Sequence, residues 1–175
     1  MNEESIKKAA EKFYEIRDIP YHIALDGEKD WSCGSKNKKL AKELEQLGYK
    51  TRERIALFRW TEQGLPKEAL VNVDEDECSH LFLEVIPPGQ DNWITVDATW
   101  NSELKPSTLP VAEWDGLKPT ANAVKYYEII PVEKNKEYLD SIDEQEDLKM
   151  NYKIYDAFNK YCDGFLEKRD NAGSN

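Results

Sequence analysis

In Ser32-Cys33-Gly34-Ser35-Lys36 an irregular loop turns into an amphipathic helix with a cysteine in its first turn. Leu40, Leu44 and Leu47 recur behind it at helical spacing, and Gly48 supplies a C-terminal stop. Ser32 is a suitable N-cap, so Cys33 is expected where unpaired backbone N–H groups and the positive end of the helix dipole converge. That setting suits a thiolate nucleophile.

A nucleophile needs a base, and the sequence offers one downstream. Cys78-Ser79-His80-Leu81-Phe82-Leu83-Glu84-Val85 and Trp93-Ile94-Thr95-Val96-Asp97-Ala98-Thr99-Trp100 both alternate like half-buried strands, with Pro87-Pro88-Gly89-Gln90 as a turn between them. A hairpin symmetric about that turn sets position 80 opposite position 97, making His80 and Asp97 direct cross-strand neighbours with Cβ atoms roughly 5 Å apart. The same register gathers Leu81, Leu83, Ile94, Val96 and Ala98 on one apolar face. Cys78, His80, Phe82, Glu84, Trp93, Thr95, Asp97 and Thr99 fall on the other, and a one-residue slip destroys the separation.

The chain has 175 residues, 39% of them hydrophobic, enough to bury a core in one domain spanning 1–170, with 171–175 expected as a disordered tail. A net charge of −11 with no basic cluster argues against nucleic acid or an anionic membrane as partner. No apolar run approaches the roughly 20 residues of a membrane helix, and Met1-Asn2-Glu3-Glu4 does not open like a secretory signal, so the expected location is cytoplasmic. Three cysteines do not read as a disulfide framework, and two histidines without CxxC or HxxxH spacing do not read as a zinc site.

Residues from about Glu3 to Arg17 place Ile6, Ala9, Ala10, Phe13 and Ile16 on one helical face that ends before Ile19-Pro20. Tyr21 to Trp31 is a loop leading into the cysteine, turning at Asp26-Gly27 and lining one side of any cleft. Thr51 to Trp60 reads as a strand of imperfect alternation, broken by Glu62 to Pro66, and Val124 to Val132 as another strand. Asp143 to Lys168 repeats Leu148, Tyr152, Tyr155, Phe158, Cys162 and Phe165 at helical spacing, a docking helix. The acidic run Asp74-Glu75-Asp76-Glu77 reads as a solvated loop; a cation site or a lure for a substrate lysine are the sharper readings, and it lacks the ligand spacing of an EF-hand.

Trp31-Ser32-Cys33-Gly34-Ser35-Lys36 with Leu47-Gly48-Tyr49-Lys50-Thr51-Arg52, His80-Leu81-Phe82-Leu83-Glu84-Val85, and Trp93 to Trp100 together resemble the transglutaminase-like superfamily, a branch of the papain-like cysteine enzymes. The resemblance spans roughly residues 30–100. It implies an α+β fold with a papain/transglutaminase-like core: the helix bearing Cys33 packed on an antiparallel sheet, with terminal helices covering the rest. It makes Cys33 the nucleophile, His80 its base and later acid, and Asp97 the group that orients the imidazole. Family members hydrolyse amides, transfer acyl groups or deglycosylate proteins.

The implied function is a cysteine-dependent hydrolase or acyltransferase acting on peptide or protein amide bonds through an acyl-enzyme, with no metal or organic cofactor. The alternative is a catalytically inactive module of the same fold that binds a peptide or protein in the cleft. Arylamine acyl transfer from a thioester is a third reading, disfavoured by the lack of a phosphate-cradling loop or basic cluster. The Cys33 N–H is the natural first oxyanion donor; Tyr21, His22 and Trp31 are upstream candidates for the second, His22 reading otherwise as an ordinary loop residue. Trp93 and Trp100 are expected to wall the cleft or pack as core aromatics. Cys78 is expected to be a buried spectator near the site, with redox partnership to Cys33 the lesser reading, and Cys162 a core residue.

Overall fold

The computed structural model describes residues 3–71 and 76–172. Helix α1 (Glu3–Arg17) buries Ala9, Phe13 and Ile16, and helix α2 (Cys33–Gln46) buries Leu40 and Leu44. The two apolar stripes meet each other and one face of the sheet through Leu83, Val85, Val96 and Ala98, with Trp114 closing the cluster. Gly48, at φ 87°, takes the left-handed conformation that ends α2 and releases the chain into the sheet.

The sheet contains β1 (Lys50–Arg59), β2 (Glu77–Ile86), β3 (Ile94–Val96) and β4 (Tyr126–Ile129), antiparallel throughout, in the order β3-β2-β1-β4. Strand β1 is interior and covered on both faces, which explains its imperfect alternation. Its second face carries Phe58 into a second cluster with Trp60, Trp100, Ile154, Tyr155, Phe158 and Cys162. After Ile129 a short helix α3 (Asn135–Ser141), not foreseen in the sequence, leads to α4 (Glu144–Ala172), which supplies the last four of those residues. Helix α4 runs beyond Lys168 through Asn171 and Ala172, where a disordered tail was expected; residues 173–175 lie outside the described residues. Tyr152, expected on the docking face, is 40% exposed and donates to Asp26 Oδ2 at 3.0 Å. The arrangement is α+β, a four-stranded antiparallel sheet with four α-helices among the described residues. None of those helices is long and apolar enough to cross a membrane.

The β2–β3 register differs from the symmetric hairpin. Leu83 pairs with Val96, Glu84 with Thr95 and Val85 with Ile94, a displacement of two residues, and the ladder ends before Asp97. The cause is local: Pro87 to Gln90 closes a turn, Gln90 N–H to Pro87 O at 3.0 Å, but Asp91, Asn92 and Trp93 follow it outside the ladder on one side only. His80 and Asp97 are therefore not direct cross-strand partners. An even displacement keeps every side chain on its face, so the division into an apolar and a mixed layer survives.

Candidate active site

Cys33 opens α2 and is partly buried. Ser32 has the extended backbone of an N-cap, φ −72° and ψ −178°, and its carbonyl accepts the Lys36 N–H at 3.1 Å. Its hydroxyl does not cap the helix, contrary to expectation, because Asp30 takes it. Asp30 Oδ2 accepts from Ser32 Oγ at 2.7 Å, from Ser32 N at 3.3 Å and from Ser35 Oγ, while Oδ1 accepts from Ala24 N at 3.3 Å. A carboxylate thus braces the loop and the first turn, and the N–H of Cys33 remains among the first-turn donors that have no intrahelical acceptor.

His80 sits in β2 opposite Ala56 and is 3% exposed. Its Nε2 lies 2.8 Å from Asp97 Oδ2. Because Nε2 serves the carboxylate, Nδ1 is the ring nitrogen left for the sulfur of Cys33. Burial works against the imidazolium, but the Asp97 and Cys33 charges and their hydrogen bonds outweigh it, raising the His80 pKa to about 10.

Asp97 is 1% exposed, and both of its oxygens are satisfied. Besides His80, Oδ2 accepts the Ala123 N–H at 3.0 Å; Oδ1 accepts from Thr99 Oγ1 at 2.5 Å, Thr99 N at 3.2 Å and Asn37 Nδ2 at 3.3 Å. Burial alone would raise its pKa, yet the His80 charge and these donors hold the carboxyl below its ordinary value. The backbone N–H of Asp97 donates to Thr120 Oγ1 at 3.0 Å, so the segment from 120 to 123 folds over it.

Two fully buried polar residues of α2 hold the helix of the nucleophile in place, Asn37 on this carboxylate and Lys36 on backbone carbonyls, and neither was assigned a role in the site from sequence. Asn37, one turn after Cys33, donates to Leu81 O at 2.9 Å and Thr99 Oγ1 at 3.2 Å as well as Asp97, and accepts the Ala98 N–H at 3.0 Å. Lys36 donates from Nζ to Arg17 O at 2.7 Å, Ile19 O at 2.9 Å and Thr99 O at 2.7 Å. Burial pulls its pKa to about 7, while only the protonated ammonium can donate to all three carbonyls. The signal for both was position: i+3 and i+4 from Cys33 lie on its helical face.

Cys33, His80, Tyr21 and Trp100 line a common cavity. Tyr21 packs on Trp100 with ring centroids 4.7 Å apart, and its hydroxyl has no hydrogen-bond partner among the described residues. Burial, with the Cys33 charge next, pushes that phenol well above its ordinary pKa. Trp100 Nε1 donates to Ala123 O at 2.7 Å. The other two tryptophan candidates lie elsewhere. Trp93 is 37% exposed beneath the Arg52 guanidinium, 4.1 Å from the ring centroid, and Trp31 is stacked by Lys29 at 4.2 Å; neither lines the cavity. His22 lies 3.9 Å from Glu28 and is also outside it.

Cys78 also lines the cavity, 3.9 Å from Tyr155 Oη, and burial pushes its thiol up to about 12. Cys162 is 2% exposed in the second core cluster. Of the acidic run, Asp74 and Glu75 lie outside the described residues. Asp76 accepts from Thr61 N at 2.8 Å and Thr61 Oγ1 at 2.6 Å, and Glu77 pairs with Arg59 at 3.1 Å. No protein-family model, no curated protein and no solved structure matches this chain.

Proposed function

We propose that this chain is a cysteine-dependent hydrolase or acyltransferase of papain/transglutaminase-like architecture, acting on peptide or protein amide bonds through an acyl-enzyme. The observation that carries the reading is the buried pair His80 Nε2 to Asp97 Oδ2, 2.8 Å, beside a cysteine at a helix start and on the wall of one cavity. The role of each group follows from its place. The imidazolium that Asp97 stabilises is the partner a Cys33 thiolate requires.

The sulfur attacks the carbonyl carbon, forming a C–S bond, and the developing oxyanion is met by the Cys33 N–H. Tyr21, with its hydroxyl free on the same cavity, is the best-supported second donor. Collapse of the adduct breaks the C–N bond, and His80 gives its proton to the departing amine. Water or a second amine then attacks the thioester; His80 takes that proton, and Cys33 leaves as the thiolate, releasing an acid or a new amide.

The test is a search for the intermediate. The native chain incubated with a 4-nitrophenyl ester and quenched in acid is expected to carry the acyl group on Cys33, as read by peptide mass spectrometry, with release of 4-nitrophenolate. Acylation elsewhere, or turnover unchanged in Cys33→Ser, contradicts the reading and favours a non-catalytic binding module.

A further inference from the structure

The cavity that exposes Cys33 and His80 has a volume of about 560 Å³ and runs inward between the second face of the sheet and α4. A void of that size is foreign to a close-packed interior but within the usual range for a small-ligand site. Its inner walls are Phe58, Trp60, Trp100, Leu109, Val124 and Phe158, each at most 6% exposed. Its mouth is different in kind. Asp30, Glu77, Glu144 and Asp147 stand on it, and among the described residues no lysine or arginine lines the cavity anywhere.

We infer that the chamber holds the bulky apolar acyl group, aromatic in size, of the substrate cleaved at Cys33. This rests on the acyl-enzyme reading above. Of the two halves of a substrate cleaved at Cys33, only the acyl half stays attached after the first step. The leaving half must depart and be replaced by water or an amine. The apolar inner walls suit the half that stays, and the open mouth suits the half that leaves. The Tyr21 hydroxyl, on a residue 5% exposed that lines the chamber, has no hydrogen-bond partner among the described residues and is a donor available to the carbonyl. An anionic acyl chain would meet apolar walls, with no lysine or arginine among the described lining residues.

The probes are three 4-nitrophenyl esters, the acetate, the 3-phenylpropanoate and the hemisuccinate. In each, the Cys33 sulfur bonds to the carbonyl carbon and 4-nitrophenolate leaves with the electron pair. Because that anion leaves unprotonated, the His80 imidazolium gives its proton to solvent. Water then cleaves the thioester, its proton passing to the neutral His80 and the sulfur leaving as thiolate. The native chain is expected to show kcat/KM for the phenylpropanoate roughly 10–100-fold above the acetate, the gain from burying a phenyl group. The hemisuccinate should fall below both. Leu109→Phe and Val124→Phe, which narrow the chamber from different walls, should bring the phenylpropanoate-to-acetate ratio toward one. Acylation of Cys33 by all three esters at similar kcat/KM overturns this inference and leaves the acyl-enzyme reading standing. No acylation of Cys33 by any of them overturns both.

Discussion

Asn37 and Asp97 are buried against each other, Nδ2 to Oδ1 at 3.3 Å, so the helix that carries the nucleophile and the segment that carries the orienting carboxylate are held by one side chain. The carboxamide also takes the Ala98 N–H and gives to Leu81 O, which leaves Asn37 little freedom. Asn37→Leu strands those backbone groups. The expected result is a loss of about 1–3 kcal/mol in urea unfolding, together with a fall in kcat at nearly constant KM. Full activity in a folded Asn37→Leu protein would show that the clamp does not position the site.

His80 makes a signed prediction about pH. Its folded-state pKa, about 10, lies above its ordinary value of 6.5. The folded chain therefore binds that proton more tightly than the unfolded chain does. The stabilisation is fully present below pH 6.5 and is lost as pH rises through about 10, with a slope of up to about 1.4 kcal/mol per pH unit. Urea unfolding across that window measures it. The slope should flatten in His80→Phe, and an identical slope in both proteins contradicts the assignment.

Tyr21→Phe removes the free hydroxyl but keeps the ring on Trp100 and Phe158, at 4.7 and 5.6 Å between centroids. If the hydroxyl meets the oxyanion, kcat should drop about 10²–10³-fold with KM and stability little changed. An unaltered kcat removes Tyr21 from the mechanism.

Two regularities made much of the site legible in the sequence. Helical spacing behind Cys33 placed it on α2 and strand alternation placed His80 on β2, whereas Asp97, read as a strand residue, lies one position past the end of β3. What stayed hidden depended on tertiary partners. Lys36 and Asn37 are polar residues whose burial their own identity does not announce; only carbonyls brought from Arg17, Ile19 and Thr99 make a buried lysine tolerable there. The Ala123 N–H that completes Asp97 is a backbone group, and backbone donors leave no trace in residue identity.

The register was missed because Asp91-Asn92-Trp93 extends one side of the hairpin only, and the face assignment survived because the displacement was even. Trp31 and Trp93 misled for another reason. Trp31 stands two residues before the nucleophile and was a candidate oxyanion donor, Trp93 a candidate cleft wall, whereas each is stacked by a neighbouring cation and neither lines the cavity.

The most direct test of the central claim is the rate of iodoacetamide labelling at each cysteine, read by peptide mass spectrometry across pH, in the native chain and in His80→Ala. The account predicts that Cys33 labels far faster than Cys78 and Cys162 near neutral pH, both of those thiols being held protonated by burial, and that this advantage is lost without His80. Equal sluggishness of all three cysteines, or rapid labelling of Cys33 that ignores His80, would contradict it.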